Sequence, residues 1–184
     1  MAQIGNQYAR GKGVALDHTE AANWYRKATE KNSPKGQYEY AKCLKEGTGV
    51  TKNEEESKKL FELAAAQKYA PALVDIGKGH RSRNPAENEK AFECFRQAAE
   101  QNLAEGQYEL GACYASGIGV AKDLTNAVSW FRKSAQAGNA DAQLAYGRCL
   151  LRGEGVAPSK GLAQVWLKLA AKQGKSEAQK LLAE

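Results

Sequence analysis

Residues 105–138 read EGQYELGACYASGIGVAKDLTNAVSWFRKSAQAG, and this stretch decides the fold. Gln107, Leu110, Gly111 and Tyr114 fall at helical spacing and predict a first amphipathic helix. Gly117-Ile118-Gly119-Val120 breaks that pattern. Asp123 then offers an N-cap for a second helix carrying Ala127, Trp130, Ser134 and Ala135.

Working outward, the Gly-x-Gly-Val signature recurs as Gly11-Lys12-Gly13-Val14, Gly47-Thr48-Gly49-Val50 and Gly153-Glu154-Gly155-Val156. The first glycines are 36, 70 and 36 residues apart, a period of 36 with one unit shortened by two. Gln37, Gln143 and Gln179 repeat the position of Gln107, and Trp24, Leu60 and Trp166 that of Trp130. Ala21, Ser57 and Ala163 match Ala127, while Ala28, Ala64 and Ala170 match Ser134. The shortened unit keeps the register with Leu73, Ala91, Cys94 and Ala98-Ala99. Asp17, Asn53 and Ser159 are the matching N-caps, and Glu20 and Glu56 stand where a capping box has its acid. Asn84-Pro85 with Glu87 offers the same cap in the shortened unit. Pro34, Pro71, Pro85 and Pro158 all lie at or near the joints between these helices. Small residues at the Gly and Ala positions admit close helix approach, and the tryptophans are expected to supply most of the apolar area between repeats.

Gln-x-x-Leu-Gly-x-x-Tyr, Gly-x-Gly-Val and Asp-x-x-x-Ala-x-x-Trp-x-x-x-Ala together resemble the Sel1-like repeat, a relative of the tetratricopeptide repeat. The resemblance covers essentially the whole chain. It implies an all-α, right-handed α/α superhelical solenoid of about five helix-turn-helix repeats, stabilised by stacking of neighbours. The expected units are residues 1–34, 35–70, 71–104, 105–140 and 141–175, with a terminal half-repeat at 176–184, in a single repeat domain. Met1 and Glu184 fall inside units, which fits either a fragment of a longer protein or half-units acting as caps. The family implies a scaffold or adaptor for protein partners.

Composition supports a folded chain and narrows the alternatives. The 184 residues are 42% hydrophobic and 26% charged, an ordinary globular balance. Net charge is +6, with 16 basic and 12 acidic residues up to position 92 and 11 and 9 after it. A charge excess spread this evenly argues against nucleic acid as a partner, since that role requires a concentrated basic patch. No apolar run approaches the ~20 residues of a membrane span. The start of the chain has no charged-then-apolar leader, and together with unpaired cysteines this points to a cytoplasmic setting.

Candidate chemistry is sparse. The glycine loops lack the Lys-Ser/Thr ending of a P-loop, and four copies in one register are structural turns. Cys43, Cys113 and Cys149 repeat one position, whereas the family's cysteine-rich bacterial branch pairs two cysteines within each unit. Equivalent positions one helix packing distance apart exceed the reach of a disulfide, which leaves only Cys94 and Cys113 open as a pair. His18 and His80 sit in different structural roles, and no Cys-x-x-Cys exists. No enzyme, metal or cofactor is expected. A family-based alternative is a hydrolase acting on cell-wall or β-lactam compounds. Others are an RNA-binding basic solenoid and a structural spacer within a longer chain.

The positions that the repeat does not dictate should carry specificity. Two, five, six and nine residues after the Gln, these form one stripe on each first helix, expected to line the concave face. Glu39, Asp75 and Glu109 make an acidic ladder, and Lys42, Lys78 and Arg148 a basic one, with Arg152 at the end of the stripe. Tyr38 and Tyr108, one place after the Gln, serve either as aromatic anchors beside this groove or as inter-repeat packing. His80-Arg81-Ser82-Arg83-Asn84-Pro85 replaces the glycine loop in the third unit, either as a specialised basic loop or as a tighter turn. Exposed apolar surface at either end of the array would favour end-to-end self-association.

Overall fold

The computed structural model describes residues 1–81 and 84–183. Ser82 and Arg83, from the expected basic loop, and Glu184 lie outside the described residues. Among the described residues the chain is all-α, with eleven helices. They are α1 (Ala2–Arg10), α2 (His18–Glu30), α3 (Pro34–Glu46), α4 (Glu54–Ala66), α5 (Ala70–His80), α6 (Pro85–Glu100), α7 (Ala104–Ser116), α8 (Leu124–Gln136), α9 (Ala140–Arg152), α10 (Lys160–Lys172) and α11 (Ser176–Ala183). This is the helix-pair array of the expected solenoid class. The chain forms two compact units, Met1–Ile76 and Gly77–Glu184, whose boundary falls inside α5.

Each glycine loop uses its two glycines differently. Gly11, Gly47, Gly117 and Gly153 take left-handed conformations that close the first helix of their pair. Thr48, Ile118 and Glu154 then donate backbone hydrogen bonds to the carbonyls of Cys43, Cys113 and Cys149 at 3.0–3.1 Å. The second glycine permits contact between repeats. A Cβ on Gly49, Gly119 or Gly155 would overlap the carbonyl oxygen of His18, Asn88 or Leu124, in the first turn of the preceding repeat's second helix. At Gly13 it would meet nothing within 4 Å.

The return from loop to second helix explains why the expected capping boxes are incomplete. Asp17, Asn53 and Asp123 do cap α2, α4 and α8, accepting from the N–H groups of Glu20, Glu56 and Asn126 at 2.9–3.1 Å. However, each cap residue's own N–H already donates to a first-helix carbonyl, that of Tyr8, Leu44 or Tyr114. The box's acid therefore finds no donor there, and Glu56 accepts instead from the Asn53 side chain at 3.2 Å. Ser159 makes the same backbone return bond, to Leu150, but no side-chain cap bond.

Alanine and serine face the helix contacts as expected. Ala21, Ser57, Ala127 and Ala163 are buried, as are Ala28, Ala64, Ser134 and Ala170. Ser57 and Ser134 hydroxyls donate to the carbonyls of Ala41 and Ala104 at 2.7 and 2.6 Å, so no buried donor is stranded there. The first unit's core gathers Tyr25, Tyr40, Leu44 and Leu60. The second unit's most deeply buried side chains include Phe95, Leu110, Leu150 and Leu167. Trp24, Trp130 and Trp166 are only half-buried, and Lys27 and Lys133 lie over two of their rings.

The two loop positions should separate in a stability experiment. Gly13→Ala carries only the left-handed backbone cost of about 1 kcal/mol. Gly119→Ala adds the overlap with Asn88 and should lose roughly 2–4 kcal/mol. Urea unfolding of both variants reads the difference, and equal losses would show that the second glycine serves the turn alone.

Candidate functional site

In the first unit, α3 brings three of the expected residues together. The Tyr38 ring packs edge-on against Phe61 and Tyr69, with centroids 5.5 and 5.4 Å apart. The Lys42 ammonium lies 5.6 Å from the Tyr38 ring centre and 3.7 Å from Glu39. The Glu39 side chain is half-buried. Burial raises the pKa of Tyr25 to about 12 and that of Cys43 to about 11, and in both the Glu39 charge adds to the shift. Tyr69 is raised by the same two causes. Asp75, on α5, is exposed.

In the second unit, Lys78 and Arg148 reach forward to the next repeat. Lys78 pairs with Glu105 at 2.5 Å and lies 3.8 Å from Glu109. Glu109 is buried and is bound at 2.5 Å by Arg81, whose guanidinium also covers the Phe95 ring at 5.1 Å. Arg148 pairs with Glu177 at 3.2 Å, and Arg152 with Glu154 at 3.8 Å. Tyr108 packs on Phe131 with ring centroids 5.8 Å apart. Burial, together with the Asp141 and Glu109 charges, raises the Tyr108 pKa. Of these contacts, only Glu39–Lys42 is the same-helix i,i+3 pair that spacing alone suggests.

Sequence reasoning did not anticipate Arg81 as the partner of Glu109. The two residues are 28 positions apart, and nothing in the repeat pattern joins them. His80 carries a polar contact to Glu87 at 2.5 Å, while His18 is exposed.

All four cysteines are free, and Cys94 and Cys113 are not bridged. Burial raises every one of their pKa values, with Cys43 and Cys113 reaching about 11. Such thiols stay protonated at neutral pH, the opposite of an activated nucleophile.

These shifts fix the sign of an alkaline stability change. Above pH 9 the unfolded chain releases thiol protons that the folded chain holds to about pH 11 at Cys43 and Cys113, so the unfolded state binds fewer protons. The stability these groups contribute is complete below pH 9 and is lost as pH rises from 9 toward 11. Urea midpoints across that range should fall. Ellman's reagent at pH 8 should react slowly with the native chain and fully in denaturant.

The Sel1 repeat pattern matches residues 1–33, 34–69, 76–103, 104–139 and 140–175. A Sel1 repeat protein from Oxalobacter formigenes is 33% identical, with a TM-score of 0.86 over 98% of this chain and 75% of that one. A protective antigen of uropathogenic Escherichia coli strains is 32% identical, with a TM-score of 0.80 over 98% of this chain. The match spans 39% of that antigen's length. An immunity protein from Pseudomonas aeruginosa is 18% identical, with a TM-score of 0.54 over 92% of this chain and 81% of that one, a likeness of fold alone. Five matched repeats, with the helix pairs and glycine loops that carry them, make this chain a member of the Sel1 repeat family.

Proposed function

We propose that this protein is a scaffold or adaptor that binds a partner protein or peptide along the stripe of its first helices, the face expected to be concave. The carrying observation is the Tyr38–Glu39–Lys42 cluster, in which an aromatic ring, an acid and a base share one face of α3. Repeat geometry does not require that combination, and aromatic and charged groups of this kind anchor and orient partners. Within the first unit the stripe comprises Tyr38, Glu39, Lys42 and Asp75. Within the second it comprises Lys78, Tyr108, Glu109, Arg148 and Arg152.

Other readings have less support. A hydrolase built on cysteine needs a thiolate, and burial opposes one at every cysteine. An RNA-binding face needs cations available to phosphate, whereas Lys78, Arg148 and Arg152 each face a carboxylate. No helix among the described residues is long and apolar enough to cross a membrane.

The test is affinity capture from the native cell extract, with wild type beside a Glu39→Ala, Lys42→Ala, Arg148→Ala, Arg152→Ala variant. Glu109 stays intact because it neutralises Arg81, and circular dichroism checks that the variant is folded. A partner held by wild type and weakened at least about tenfold in the variant supports this surface. Equal capture moves the site off the stripe, and no captured partner favours the spacer reading.

A second proposal concerns self-association. Leu162, Val165 and Leu169 are exposed at helical spacing on α10, near one end of the array. Sedimentation should show mass rising with concentration, and a concentration-independent monomer would rule it out.

A further inference from the structure

Two of the repeats close the junction of three helix ends with the same amide. Gln67, one residue past α4, donates through Nε2 to Gln37 Oε1 at 2.8 Å and to Asn32 Oδ1 at 3.2 Å. Gln173, one residue past α10, donates to Gln143 Oε1 at 2.8 Å and to the Gly138 carbonyl at 3.1 Å. In the fourth repeat the same register holds Ala137, one residue past α8. The acceptor that would receive the missing amide is still there. Gln107 is 5% exposed, and its Oε1 is buried without a hydrogen-bond partner. Beside it lies an open cleft of about 520 Å³, lined by Asn102, Gln107, Trp130, Lys133, Gln136 and Ala137 among others.

We propose that this cleft receives the primary carboxamide of a glutamine side chain from a partner peptide, whose NH₂ donates to Gln107 Oε1. An unpartnered buried acceptor is unfavourable, and a donor reaching it recovers that loss. Three features select a neutral amide. The chain itself uses one at both sister sites. A cationic ligand would meet Lys133, whose ammonium sits 3.9 Å from the Trp130 ring centre on the cleft wall. An anion would bring no donor to Gln107 and would face Glu100, which also lines the cleft. A carboxamide can donate to Gln107 while accepting from Lys133 or Gln136, with its methylenes against Trp130. The proposal rests on the scaffold reading only for the source of the carboxamide.

The test titrates the ¹⁵N-labelled chain with N-acetyl-glutamine methylamide and follows the Trp130 indole N–H and the Gln107 side-chain amide. Both signals should shift saturably. The matching glutamate and methionine derivatives should bind at least about tenfold more weakly, roughly the factor one hydrogen bond supplies. Ala137→Gln should melt higher than wild type and abolish the response, because the chain then fills its own site. Gln107→Leu, which places there the residue found at Leu73, should stay folded by circular dichroism and lose binding. Absence of saturable shifts, equal binding of the methionine derivative, or a response that persists in Ala137→Gln would each overturn the proposal. Loss of the glutamine response with partner capture intact refutes this site alone. Intact probe binding with no captured partner refutes the scaffold reading and leaves the site standing.

Discussion

The array depends on a contact of backbone against backbone. Where Gly49, Gly119 and Gly155 meet the first-turn carbonyls of the preceding second helices, no side chain of any size fits. That contact sets how closely each loop lies on its predecessor, and buried Ala21, Ala127 and Ala163 keep the adjoining helix faces equally close. The N-cap return bonds to Tyr8, Leu44, Tyr114 and Leu150 then tie α2, α4, α8 and α10 to the first helices of their repeats. Large side chains fill the space that these backbone contacts define.

Charge is organised on the same frame. Bases on one first helix meet acids about one repeat further on, as Lys78 does with Glu105 and Arg148 with Glu177. Exposed pairs of this kind contribute about 0–1 kcal/mol each, so their main effect is to fix side-chain direction and local potential. Glu109 differs because it is buried between Lys78 and Arg81, where losing either partner would leave charge poorly solvated. It belongs as much to the framework as to any recognition surface.

The fold was legible because its determinants act on the backbone and repeat in register. Gly-x-Gly-Val, the buried Gln and the small residues of the second helices recur at the same register in most copies, so periodicity exposes them. Side-chain partners were less legible. The incomplete capping boxes follow from N–H groups already committed to the return bonds, which spacing does not reveal. Arg81 and Glu109 meet only because neighbouring helices have particular rotations. The stranded oxygen of Gln107 becomes visible only once Gln67 and Gln173 are seen folding back over the helix ends, which gives Ala137 its meaning. Nor does spacing reveal that Lys27 and Lys133 lie over the rings of Trp24 and Trp130.

The side-chain hydrogen bonds from Gln67 to Asn32 and from Gln173 to Gly138 span 35 residues, about one period. Bonds of that reach join a repeat to its neighbour and no further. Adding or removing a whole repeat therefore keeps bonds of this kind only where the new neighbours carry the same glutamines, while inserting a few residues inside a repeat breaks their register. Contacts particular to one junction, such as Arg81 with Glu109, are lost in such an exchange.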